Sequence, residues 1–154
     1  MPLPQFFRII VTNNSGRTVT FNNNGRFNLK VTFWHIDPDT GKTVYTQDVD
    51  DNLAFIAGDS TIDGAEEKSS EIDNIAGDTE FLGAHVQLEV THDEGTLADG
   101  NFNIYLDGGD AAGELASDAG GYTSAEADFL QHIGSLAWIP GADDDTRRSE
   151  VIEI

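Results

Sequence analysis

Apolar and polar side chains alternate with a period of two along most of this chain, and a 3.6-residue pattern is hard to find. The clearest instance is residues 27–34, where Phe27, Leu29, Val31 and Phe33 alternate with Asn28, Lys30, Thr32 and Trp34. Successive side chains of an extended chain point to opposite faces, so this spacing predicts a strand with one buried face. Phe7, Ile9 and Val11 repeat it, as do Ala84, Val86, Leu88 and Val90, and then Phe102, Ile104 and Leu106. Further strands are expected over Arg17 to Phe21, Thr43 to Gln47, near 53–57 and 66–72, over Leu130 to Ile139, and over Arg147 to Ile154.

Turn chemistry separates these runs. Asn13-Asn14-Ser15-Gly16 and Asn22-Asn23-Asn24-Gly25 are strong turn signals, and Thr96 to Gly100 is a third. In Asp37-Pro38-Asp39-Thr40-Gly41-Lys42, Pro presets φ, Asp caps the turn and Gly accepts a positive φ, so 27–47 reads as a β-hairpin. Asp107 to Ser124 reads as one long Gly, Asp and Ala loop, of a length that is usually functional. About seven to nine short strands with turns at this spacing predict an all-β fold. The expectation is a single antiparallel β-sandwich, jelly-roll or immunoglobulin-like, with long acidic loops and residues 1–154 as one domain.

Charge narrows the partners. The chain carries −20 at neutral pH. Residues 69–146 contain no Lys or Arg and seventeen Asp and Glu, whereas the first fifty residues hold five basic and four acidic residues, 5 − 4 = +1. A field of one sign repels nucleic acid and anionic lipid, so neither is an expected partner. No run approaches the roughly 18 apolar residues of a membrane helix, and the N-terminus lacks the pattern of a signal peptide, so synthesis in a cytoplasm is expected. Without Cys there is no disulfide, thiolate metal site or cysteine nucleophile.

No catalytic constellation is recognisable. His35, His85, His92 and His132 show no zinc spacing, and no serine lies in a nucleophile elbow. Asp37 to Asp48 departs from a calcium loop, with Gly41 where a ligand is needed and Asp48 in place of the bidentate Glu. Asp107 and Asp110, with Asp143, Asp144 and Asp145, are denser carboxylate groups and the weak candidates for calcium; no other cofactor is expected. Aromatic residues on polar faces are more informative. Phe6, Trp34 and Tyr105 fall opposite the apolar sides of their strands, and Trp138 lies in a strand apolar on both faces. Exposed aromatics of this kind mark protein interfaces or sugar platforms.

From residue 100 onward the order is a strand ending Tyr105-Leu106-Asp107, an Asp, Gly and Ser-rich loop, the strand Leu130-Gln131-His132-Ile133-Gly134-Ser135-Leu136, a polar turn and a closing Ser149-Glu150-Val151-Ile152-Glu153-Ile154. This resembles small virion structural proteins of tailed bacteriophages, and Val31-Thr32-Phe33-Trp34 followed by a Gly hairpin and Val44-Tyr45 agrees with it. The resemblance implies a β-sandwich building block with no catalytic residues, acting in the virion after synthesis in the host cytoplasm. A capsid decoration, or cement, protein fits best: a homo-oligomer, with a trimer favoured, docked on the major capsid protein or other virion proteins. Phe6, Arg8, Arg17, Arg26, Trp34, Tyr105 and Trp138 are its expected interface, with the near-neutral first fifty residues toward the shell. The alternatives are a tail or neck component and a carbohydrate- or calcium-binding sandwich module.

Overall fold

A computed structural model of the chain describes residues 3–16, 19–20, 27–47, 51–52, 60–61, 66–69, 71–74, 80–91, 100–109, 115, 130–138 and 146–154. The elements are all strands: β1 (Phe6–Asn14), β2 (Val19–Thr20), β3 (Phe27–Ile36), β4 (Thr43–Gln47), β5 (Asp51–Asn52), β6 (Ser60–Thr61), β7 (Glu66–Lys68), β8 (Ile72–Asp73), β9 (Gly83–Thr91), β10 (Gly100–Gly109), β11 (Gln131–Trp138), β12 (Thr146–Arg148) and β13 (Ile152–Glu153). One sheet runs β11-β10-β1-β7, with β8 also on β1. The other runs β12-β9-β3-β4, with β13 also on β9 and β5 on β3. Every pairing is antiparallel, and β2 with β6 makes a separate small ribbon.

The alternation in the sequence places the core. Phe7, Ile9, Val11, Phe102, Ile104 and Leu136 come from the first sheet, and Leu29, Val31, Phe33, Ala84, Val86, Leu88 and Val90 from the second; all are buried in one cluster. Two apolar faces that cannot be wetted must close on each other, which makes a sandwich. Aromatic rings tie the layers at one end: Phe7 meets Phe33 edge-on at 6.0 Å, and Phe33 stacks on Phe81 at 4.8 Å. Asn74 fixes the approach of Phe81, since its side-chain amide donates to Phe81 O (2.9 Å) and accepts from Phe81 N (3.2 Å). The predicted 37–42 hairpin forms between β3 and β4. Asp37 Oδ1 accepts from Asp39 N (2.8 Å) and Thr40 N (3.2 Å), and Gly41 adopts φ +65°. These backbone donors hold the Asp37 carboxyl below its usual pKa.

Both sheets use one device along an edge. Ser69 N donates to Ile9 O (2.9 Å), while Ile9 N donates back to Ser69 Oγ (3.0 Å). Ser149 N donates to Leu88 O (2.8 Å), while Leu88 N donates back to Ser149 Oγ (3.0 Å). In each case a hydroxyl takes the place of a ladder carbonyl and the register slips by one residue. Lys68 to Ile72 spans four residues against three from Ile10 to Phe7, and Arg148 to Ile152 spans four against three from Glu89 to Val86. This one-residue slip is a β-bulge. It divides the closing strand expected over Arg147 to Ile154 into β12 and β13, and the strand near 66–72 into β7 and β8. Of the strand expected over Arg17 to Phe21 the described residues are Val19–Thr20, which form β2; the run near 53–57 lies outside the described residues, as does most of the long acidic loops.

Candidate functional site

The structure moves Asp107 out of the loop that the sequence predicted. It lies inside β10, 2 % exposed and directly across the ladder from Arg8. Pairing with β1 overrides the Asp-Gly-Gly turn signal, and Gly108 and Gly109 continue the strand opposite Phe7 and Phe6. A Cβ at Gly108 would come within 2.5 Å of Pro4 Cγ, so glycine serves close packing there. Opposite charges facing across a ladder are a favourable cross-strand pair and suit a carboxylate in a buried position. Asp110, Asp143, Asp144, Asp145, Arg17 and Arg26 lie outside the described residues. Among the described residues no group of three or more His, Asp or Glu gathers to hold a metal.

The first fifty residues do not form one face. They supply an inner strand of each sheet, β1 and β3, so Arg8 and Lys30 belong to opposite layers. Phe6 is half-buried on the outer side of β1. Trp34 packs across the second sheet, its indole nitrogen filling the space where a side chain at Gly83 would stand, beside Ile154 O. Beside it in register, Tyr45 is 57 % exposed, with its ring 5.7 Å from that of His85. Trp138 ends β11 opposite Gly100.

Tyr105 joins a polar network on the outer face of β10 and β11. Asn101 Nδ2 donates to Asn103 Oδ1 (2.7 Å), Asn103 Nδ2 donates to Tyr105 Oη (3.4 Å), and Ser135 Oγ donates to Asn103 Oδ1 (3.1 Å). His132 Nε2 lies 3.3 Å from Ser135 Oγ, and its ring meets Tyr105 edge-on at 5.3 Å. Ser135 thus stands between Asn103 and His132. The network ties the side chains of β10 and β11 together on this face. A bulge helps to make it: Ile104 pairs with Gly134 and Tyr105 with His132, leaving Ile133 as the extra residue.

A groove runs along the seam between the two sheets. One cavity of about 990 Å³ is lined by Leu3, Leu106, His132, Ile133, Ile152 and Ile154 among others. A second, of about 570 Å³, continues it between residues 133–137 and 148–152. The two share Ile133 and Ile152. Ile152 Cδ1 stands 2.5 Å from where a Cβ on Gly134 would be, so the isoleucine crosses the seam onto a residue with no side chain. Five consecutive residues of β11 line the second cavity. A strand showing only one face would contribute alternate residues, so this cavity meets the backbone edge of β11. That edge is the last strand of its sheet, and no Asp, Glu, Lys or Arg occurs between Asp128 and Asp143. Sequence reading recognised the apolar run but not the edge; the charge-free window was the available signal.

No family model matches the chain, and neither a curated protein nor a solved structure matches it.

The opposite wall of the seam is held by charge. Glu89 on β9 accepts from Arg148 Nε on β12 and from Lys30 Nζ on β3, the latter at 3.5 Å. Burial raises the Glu89 pKa, but the hydrogen bonds and charges of Arg148 and Lys30 outweigh it, and the carboxyl lies below its ordinary value. A depressed acid contributes stability above its unfolded pKa of about 4.5 and loses it as pH falls through the folded value. Glu89→Gln is expected to lower stability by about 1 kcal/mol at pH 7, a figure kept small by the solvent exposure of both partners. Urea titrations should show the wild type and Glu89→Gln converging as pH drops below about 4. A difference of equal size at pH 3 would assign the loss to packing.

Proposed function

We propose that this chain is a non-enzymatic virion structural protein of the capsid decoration type, made in the host cytoplasm and docking on the major capsid protein as a small homo-oligomer. The observation that carries the reading is the uncharged β11 edge beside an open seam in a chain of net charge −20. Unmanaged strand edges invite pairing, and natural proteins block them with charge or proline. A strongly acidic chain that leaves β11 uncharged keeps that edge available for contact. The acidic remainder favours solubility at high local density.

The test is immunogold labelling of phage particles from the source of the chain with an antibody against it. Gold distributed over the capsid is the expected result. Label confined to the neck or tail would move the protein to that part of the virion, and particles without label would overturn the reading. Light scattering on the purified chain measures the oligomer, with a trimer expected.

A second reading, a carbohydrate-binding module, has one specific support in Tyr45, exposed beside His85 and Trp34. A glycan bound to the folded state alone would raise the melting temperature in proportion to its occupancy.

A further inference from the structure

We infer that β11 and the seam beside it accept an extended segment of a partner protein, added as a further strand, with apolar side chains at every second position and Lys or Arg between them. The inference rests on the docking role proposed above and names the chemistry of the partner segment.

Three features of the surface agree. The first is the unpaired backbone: among the described residues β11 has β10 as its single neighbour, and residues 133–137 turn a continuous edge toward the second cavity. Strand addition at such an edge draws affinity from main-chain hydrogen bonds, and pockets for alternate side chains give it specificity. The second is the pair of cavities. Ile152, seated on Gly134, divides the groove into one pocket beside residues 131–133 and another beside 133–137. Alternate side chains of a strand stand about 6.6–6.8 Å apart on one face, so one added strand presents side chains to both pockets. The walls that such side chains would meet are apolar: Leu106, Leu136, Val151 and Ile152, with Val151 already 59 % exposed.

The third feature is charge. The exposed carboxylates of Glu150 and Glu153 line the groove, and its one guanidinium, Arg148, is engaged by Glu89. A cationic segment gains from both the rim and the −20 field, which also hastens its encounter. A second copy of this chain brings another −20 and is disfavoured at the same place. The strand β4 is uncharged too, but it shares its edge with Asp51 of β5, and these two cavities run beside β11.

The probe is a capped eight-residue peptide alternating valine with lysine, matched to the length of β11, added to the full chain. The readout is amide hydrogen exchange. Exchange across Gln131 to Trp138 is expected to slow by about tenfold at saturation. A peptide of the same composition with valines and lysines in separate blocks should give no such protection, and neither should one alternating valine with glutamate. Val151→Lys alters an exposed residue, so the fold is expected to persist by its melting curve while peptide affinity falls by about tenfold. Equal protection by the blocked peptide would reduce the effect to charge and overturn strand addition. So would protection, in the dilute free protein, of the β11 amides that point away from β10, or protection that rises with protein concentration alone, which would make a second copy the occupant. The virion reading fails separately. Peptide binding with no gold on particles would remove that reading and keep the groove; gold on capsids with no peptide protection would do the reverse.

Discussion

Replacing Phe7 by alanine is expected to lower the free energy of unfolding by about 3–5 kcal/mol. Phe7 is fully buried on the inner face of β1, and its ring meets Phe33 of the other sheet. The ring therefore joins two layers, and its removal takes away apolar contact from both. Its ladder partner Gly108 has no side chain to move into the space. A domain of this size holds about 5–15 kcal/mol in all, so the variant should lie close to the edge of folding at 37 °C. Urea titration against Phe6→Ala is the measurement, since Phe6 occupies the outer face of the same strand and is only half-buried. Equal losses at both positions would mean that β1 does not present one face to the core.

The serines in the bulges carry the second large effect. Ser69→Ala leaves the Ile9 N–H without its acceptor, and Ser149→Ala does the same to Leu88 N–H, in positions that water does not reach. An unsatisfied buried donor costs about 1–3 kcal/mol, far more than the loss of one hydroxyl from a surface strand. The two serines belong to different sheets and share no partner, so the double variant should lose the sum of the single losses. Native-state hydrogen exchange should locate each loss at the amide named. Single losses below about 0.3 kcal/mol would mean that the ladder relaxes around the missing hydroxyl.

These serines also mark where sequence reading stops. Alternation was enough to locate β1, β3, β9 and β10, because each turns an apolar face to the core and the period survives in the residue order, although Ile10 and Asp107 are buried on the other face as well. A bulge erases that signal, since its cause is a strand about 60 residues away. Asp107 failed for a related reason: Asp-Gly-Gly is turn chemistry locally, and only pairing with β1 makes it strand. In β11 the extra Ile133 breaks the alternation that made both faces look apolar, whereas His132, Ser135 and Ala137 are in fact exposed. The groove was beyond reach because its walls, 131–137 and 148–154, meet through the packing of two sheets. What the residue order did contain was the repeated phrase Lys68-Ser69, Ile72-Asp73 and Arg148-Ser149, Ile152-Glu153, with equal spacing in both sheets.

That repetition has a consequence for how many neighbours one copy can hold. Each sheet has a serine-latched rim bearing charged residues, β7 with β8 or β12 with β13; among the described residues the opposite rim of the first sheet, β11, bears none, whereas β4 shares its rim with Asp51 of β5. The latched rims bristle with charge; β11 carries its bulge at Ile133 without any. A unit so built would offer one uncharged rim for strand-to-strand contact. With one such rim, a strand-to-strand contact would cap an assembly and would not propagate it.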